Sequence, residues 1–390
     1  MLASILFATS LILILYILGL YPLLLAAVPW RKAPAVYKDY SLEPPVSAIM
    51  AVHNGGAHLR QKLETFLALD YPKGLLEIIV VSDGSTDATA AIAAEYAERG
   101  ITFIDAPRAG KATALNLGIA RASGDILFFT DVRQPLDPQA LRHLTANFAD
   151  PTVGACTGEM HLVRGDSGEQ ADMDLYWRYE IWARKIHSEI DSIFSATGCI
   201  YALRRPLARP IPADSLADDA TFSLRAYFEG YRIIFDPAAI AFDSPALAGT
   251  EFYRRFRTLA GLWQVYARFP KLFLPFGNRM WFHFISHKFS RLALPWTILL
   301  FIGSSPFLPE PLKTTILALE AALVALTLLN QVVPAGSLLK RLSSPAQTFF
   351  VMNAASLCAV AVFFVPAARL WRPTRVQDPG GTNLGPDRLK

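Results

Sequence analysis

The stretch Phe128-Phe129-Thr130-Asp131-Val132-Arg133-Gln134 puts a carboxylate just after an apolar run and a guanidinium two residues further on. Asp131 therefore stands at the carboxyl end of an expected strand, where open α/β sheets keep their ligands. Chelation of a divalent metal would call for a second carboxylate at position 133, and the sequence offers Arg133 instead. Two other strand ends carry related chemistry. His53-Asn54-Gly55-Gly56 follows one apolar run, with glycines that permit a tight turn and close backbone approach to a ligand. Val81-Ser82-Asp83-Gly84-Ser85-Thr86-Asp87 ends another, with Asp83 at the strand mouth and Ser85, Thr86 and Asp87 suited to capping the next helix. Arg108-Ala109-Gly110-Lys111 then opens a helix, where free N–H groups and the helix dipole favour an anion such as a phosphate. P-loop spacing and GxGxxG are both missing, which disfavours an ATPase or a nicotinamide enzyme.

The elements that must position these groups alternate between Val46 and Phe242. VSAIMAV, LEIIVVS, ITFI and DILFFT read as strands, and helices are expected at about 57–69, 87–99 and 111–122 between them. That alternation predicts βαβ units on a mostly parallel sheet, an α/β nucleotide-binding domain that starts after Pro44-Pro45.

The 390-residue chain is 53% hydrophobic, too apolar for a purely soluble protein. Leu2 to Val28 carries no charge and exceeds the roughly 20 residues needed to cross a bilayer. It lacks the basic start and short apolar core of a signal peptide, so an uncleaved anchor is expected. Three later apolar blocks cover about 292–308, 314–333 and 347–365. The first is broken by Gly303-Ser304-Ser305-Pro306 and is expected to dip in or lie flat. Arg31-Lys32 after the first span places the central region in the cytoplasm by the positive-inside rule, while the side of the C-terminal tail stays open between three and four spans. The aromatic helix carrying Tyr176, Trp177, Tyr179 and Trp182 is expected to pack against core or membrane. The segment 269–287 is read as interfacial, with Trp281, His283 and His287 at headgroup depth. Cys156, Cys199 and Cys358 show no metal or CxxC spacing and read as reduced and structural. The net charge of +4 lies largely near the membrane segments, which points to membrane lipids and away from nucleic acid.

In this order the motifs resemble glycosyltransferase family 2, the inverting enzymes of GT-A fold, and the resemblance covers roughly Val46 to Ala260. Phe129-Thr130-Asp131-Val132-Arg133 stands in place of the family's Asp-x-Asp, and Thr197-Gly198-Cys199-Ile200-Tyr201-Ala202-Leu203-Arg204-Arg205 is similar to its acceptor-side segment. Asp218-Asp219 resembles its Glu-Asp pair, and Arg254-Arg255-Phe256-Arg257 its arginine-tryptophan element, with Thr258 where the tryptophan belongs. The resemblance implies donor contacts from His53, Asp83, Lys111, Asp131, Arg133, Arg254, Arg255 and Arg257. It makes Asp131 the ligand of Mg²⁺ or Mn²⁺ and gives acceptor contacts to Thr197, Gly198 and Tyr201. Asp219 becomes the general base, kept ionised by the positive end of its helix, with Asp218 as helper. Metal use is expected to be retained but weakened, since Arg133 replaces a carboxylate and is read either as a phosphate ligand or as the partner of an acid such as Asp137.

The domain plan that follows is an anchor at 1–29, a linker at 30–45, a cytoplasmic GT-A domain at 46–250, an arginine and interfacial segment at 251–291, a membrane region at 292–366 and a disordered tail at 367–390. The implied enzyme is an inverting transferase in a bacterial-type inner membrane. It moves sugar from a nucleotide diphosphate, UDP by preference, to a growing polysaccharide or a lipid-linked glycan. Transfer to polyprenyl phosphate is the alternative, and a non-catalytic nucleotide-sugar sensor is a weaker one. Polymer export through so few spans would call for a homo-oligomer or an export partner.

Overall fold

The computed structural model describes residues 1–162, 170–244, 251–334 and 337–370, including all their side chains but those of 170–176, 251 and 368. The tail beyond 370, with Arg372 and Arg375, and the side chain of Tyr176 lie outside the described residues.

The α/β domain is a seven-stranded sheet of β1 (Val46–Val52), β2 (Leu76–Asp83), β3 (Ile101–Ala106), β4 (Ile126–Phe129), β5 (Val153–Leu162), β6 (Tyr201–Arg204) and β7 (Arg232–Asp243). The order across it is β3-β2-β1-β4-β6-β5-β7. Strands β1 to β4 pair in parallel, β6 runs antiparallel between β4 and β5, and β5 pairs in parallel with β7. The chain winds outward from β1 to β3 and returns to the other side of β1 as β4. The carboxyl ends of β1 and β4 therefore flank a crevice at the switch in strand order, the place such sheets reserve for ligands.

Alternating side chains explain the two cores. Ile49, Val81, Leu127 and Phe129 pack with Leu115 and Phe222, while Met50, Val80 and Phe128 pack with Leu63, Phe66 and Leu141 on the other face. The first face is covered by α4 (Lys111–Arg121) and α7 (Asp218–Phe228), the second by α2 (Gly56–Leu67), the short α3 (Thr89–Ala94) and α5 (Ala140–Ala146). The helix expected at 87–99 is shorter, ending in a 3₁₀ turn at Ala97–Arg99.

Among the described residues, three helices are long and apolar enough to cross a membrane: α1 (Leu2–Ala27), α10 (Leu312–Leu329) and a third spanning Leu338–Phe363. The block at 292–308 forms α9 (Ser290–Ser304), which carries Pro295 inside it and runs beside α1, Phe7 and Phe301 stacking at 4.7 Å. The last block begins earlier than expected, as α11 (Leu338–Ala359). Two further helices join the layers. The long α6 (Gln170–Ile190) meets α1 through Trp182 and Ala183 against Tyr21 and Leu25, so its aromatics pack as expected. The amphipathic α8 (Glu251–Arg268) lies between the domain and the apolar helices, Trp263 meeting Trp296 and Phe363.

Candidate active site

The crevice is lined by loops that hold one another. Asn54 adopts a left-handed conformation (φ 49°) and its side chain accepts the N–H of Thr86 at 2.8 Å, while the N–H of Gly56 donates to Asp87 at 2.8 Å. The loops after β1 and β2 are thereby one unit, with Asp87 also turning back to Thr89 as a helix-capping residue does. His53 donates from Nδ1 to the Asp83 carbonyl at 2.8 Å, which fixes its tautomer. Asp83 is buried, and its carboxylate accepts the N–H groups of Ala109 (2.7 Å) and Gly110 (2.8 Å) and pairs with Arg108. Its present task is to hold the loop that precedes α4. Gly84 follows it at φ 61°, where a Cβ would stand 2.6 Å from the Arg108 nitrogen, so only glycine lets the two loops meet.

At the centre, Lys111 opens α4 and places its ammonium between two carboxylates, 2.9 Å from Asp131 and 3.1 Å from Asp218. Burial alone would lower the Lys111 pKa, and the two acids more than reverse that. Asp131 is 39% exposed; burial would raise its pKa, but Lys111 first, then Lys62 and Arg133, hold it below the usual value. Asp218 and Asp219 are the first two residues of α7. Burial, and next the charge of Asp218, push the Asp219 pKa up to about 7. The expectation that the helix end keeps Asp219 ionised is corrected: burial and a like charge outweigh the dipole, and the group is poised near neutrality.

The acceptor-side segment meets this pair. A Cβ at Gly198 would lie 3.3 Å from the Asp219 carboxylate, so the turn before β6 faces Asp219. Thr197 is tied down on both sides, its N–H donating to Thr157 at 2.9 Å and its hydroxyl accepting from Arg184 at 2.5 Å. Tyr201 does not fit the acceptor role. It is 1% exposed, its ring stacked on Phe129 at 4.8 Å and its hydroxyl 3.4 Å from Asp218, because its position in β6 points it into the core.

Arg133 turns away from Asp131 and from Asp137. It makes a two-pronged pair with Asp243 at the end of β7, at 3.0 and 2.8 Å, and Gln134 donates to the same carboxylate at 2.9 Å. Arg257 is nearer the chemistry. Burial lowers its pKa while Asp131 and Asp218 oppose that and Arg133 and Arg254 reinforce it, so one field joins all five groups. Helix α8 is set against the segment before α7: Gln264 accepts the N–H of Leu216 at 3.0 Å, and Arg268 reaches Ser215 and Asp214 at 2.8 and 2.6 Å. Sequence reading passed over Lys62 and Asp243, and took Arg108 only as part of an anion-favouring helix start. Nothing marks Lys62 as special in an amphipathic helix pattern, and Asp243 gains meaning only when β7 is laid beside β5.

Among the described residues, no group of three or more His, Cys, Asp or Glu side chains could hold a metal ion. Asp131 is a single hard oxygen ligand, of the kind that suits Mg²⁺ or Mn²⁺ when phosphate oxygens complete the shell.

A parallel half-sheet with a crevice at the switch point, continued by an antiparallel strand whose leading turn faces Asp219, is the GT-A fold. A mannosyltransferase from Pyrobaculum calidifontis, solved in complex with GDP-Man and Mn²⁺, superposes with a TM-score of 0.72 over 92% of this chain and 99% of that one, at 24% identity. Residues 47–211 match the family described as Glycosyl transferase family 2. A probable glycosyltransferase, YdaM of Bacillus subtilis strain 168, is 29% identical over 231 residues, 55% of this chain and 54% of its own. A poly-beta-1,6-N-acetyl-D-glucosamine synthase of Staphylococcus aureus strain COL is 27% identical over 233 residues, 58% of this chain and 54% of its own. The chain spans about half the length of the curated relatives it matches.

Proposed function

We propose that this chain is a membrane-bound inverting glycosyltransferase that moves a sugar from a nucleotide diphosphate donor, UDP by preference, to a growing polysaccharide on the cytoplasmic face. The observation that carries the reading is the placement of Asp219, with a pKa of about 7, beside Gly198 and next to the Asp218-Lys111-Asp131 bridge. A base poised near the working pH and a cation-lined place for a leaving diphosphate share one crevice.

In the transfer, the acceptor hydroxyl oxygen bonds to the anomeric carbon from the face opposite the diphosphate and passes its proton to Asp219. The bond from that carbon to the diphosphate oxygen breaks, and its electron pair leaves with the diphosphate. Lys111 and Arg257 meet the charge that develops there. Asp131 would hold Mg²⁺ or Mn²⁺, which supplies Lewis-acid stabilisation of the diphosphate when bound. Asp83 and His53 shape the donor side through the loop that precedes Lys111. The name of the staphylococcal relative supports a polysaccharide acceptor, and the three apolar helices with Arg31-Lys32 support the membrane placement.

The test is release of nucleoside diphosphate by detergent-purified protein with UDP-, GDP- and dTDP-sugars, each with Mg²⁺, Mn²⁺ or EDTA, in the presence of oligosaccharide or lipid-linked acceptors. Turnover with one donor, reduced by EDTA and abolished in Asp219→Asn, is the expected result. A full rate in EDTA would remove the metal from the mechanism, and no turnover with any donor and acceptor would sink the reading.

A further inference from the structure

Lys62 lies in α2, remote in sequence from every motif, and is 1% exposed. Its ammonium donates to the Thr130 hydroxyl at 2.7 Å and to the Gln134 carbonyl, and it lies 5.3 Å from the centre of the Phe66 ring. Among the described residues no carboxylate forms an ion pair with it. Burial pushes its pKa down to about 7, with Cys199 and Asp131 opposing only in part, so a side chain that only filled space would be better apolar.

Its two acceptors sit at the two ends of the turn that carries Asp131, Val132 and Arg133. Thr130, while accepting from Lys62, donates its own proton to the Cys199 carbonyl at 2.6 Å, in the turn that faces Asp219. Gln134 in turn donates to Asp243, the partner of Arg133. One buried amino group therefore reaches the turn that carries Asp131 directly and the turn beside Asp219 through a single hydroxyl.

We propose that Lys62 is a positioning residue for the transfer, its ammonium stapling the turn that presents Asp131 and, through Thr130, registering that turn against the one beside Asp219. This rests on the roles given above to Asp131 and Asp219. It touches neither donor nor acceptor, and its effect is on geometry.

The experiment compares Lys62→Met, Lys62→Arg and Thr130→Val in the detergent-purified full chain, by thermal unfolding, by calorimetric binding of UDP with Mn²⁺, and by nucleotide release well below the Tm. Misplacing reacting groups by about 1 Å costs on the order of 100-fold, so Lys62→Met is expected to lower kcat by about 10- to 100-fold and weaken UDP binding several-fold while the protein stays folded. Lys62→Arg recovers part of both, and Thr130→Val lowers kcat with a smaller effect on UDP binding. A Lys62→Met protein with the wild-type rate and affinity would overturn the proposal, as would a rate loss matched by the unfolded fraction. If the wild type binds UDP but transfers no sugar, weaker binding by Lys62→Met supports the staple of the Asp131 turn while the proposed function fails alone. A wild type that binds no nucleotide would overturn both.

Discussion

Two clusters of ionisable side chains in this molecule are built from similar residue types. At the crevice, Lys111 bridges Asp131 and Asp218 while Asp219 waits beside Gly198. Where α6 meets the segment before α9, Glu180 of α6 receives Lys288 at 2.8 Å and Arg291 at 2.6 Å, with His287 at 3.3 Å. Close by, the Tyr21 hydroxyl of α1 lies between His187 and His283, at 2.9 and 3.0 Å. The crevice cluster has three acids around one ammonium and leaves one acid with a raised pKa; the second cluster has one acid inside a ring of cations and histidines. On the proposed function the first holds a group in reserve for chemistry, while the second closes a contact among α6, α1 and the segment before α9. The difference lies in charge balance and access, so residue type alone does not tell a reactive site from a structural joint.

The comparison breaks if the crevice tolerates loss of its acid. Asp219→Asn is expected to lower kcat by about 100- to 10,000-fold, the usual worth of a general base, with the Tm unchanged or higher because a strained charge is removed. Steady-state kinetics beside a melting curve decides it. In the second cluster, Glu180→Gln removes the carboxylate that Lys288 and Arg291 share. A loss of about 3–5 kcal/mol in stability is expected from breaking a buried pair, with kcat per folded molecule unchanged. Denaturant titration in detergent, paired with activity, would show the reverse pattern if Glu180 took part in transfer.

The pH profile sharpens the contrast. Asp219 must be ionised to accept a proton, so kcat/KM for the wild type should rise about tenfold per pH unit below about 7 and level off above it. A flat profile from pH 5 to 8 would remove Asp219 as the base. The smallest effect is expected for Arg133→Lys, which exchanges a two-pronged pair with Asp243 for one contact. About 1 kcal/mol of stability should be lost, with the donor KM moved no more than a few-fold, and a large rise in that KM would put Arg133 on the diphosphate after all.

Much of this fold is legible along the chain. Strands β1, β2 and β4 announce themselves because apolar runs buried on both faces of a parallel sheet are continuous and bounded by Gly, Pro and Asp. Asp83, Lys111, Asp131 and Asp219 stand out because each sits at the end of such an element. Partners made by tertiary contact do not. That Arg133 belongs to Asp243, that Tyr201 points inward and that Lys62 is buried all depend on which strand lies beside which, and spacing in sequence carries no trace of it. His283 and His287 read as headgroup-level residues for the same reason, whereas both are buried against α1 and α6.

The missing side chain at Gly261 carries a mechanical consequence. A Cβ there would stand 3.1 Å from that of Ala217, the residue just before Asp218, and Gln264 and Arg268 grip the same segment a turn further along. Helix α8 and the start of α7 are meshed like the teeth of two gears, with the other flank of α8 resting on Trp296 and Phe363 of the apolar helices. A tilt of α8 relative to the sheet would press on the segment that leads into the acid pair. If the apolar helices lie in a bilayer as proposed above, bilayer thickness and lateral pressure become mechanical inputs to the position of Asp218 and Asp219, and a micelle, which imposes neither in the same way, sets that gear differently.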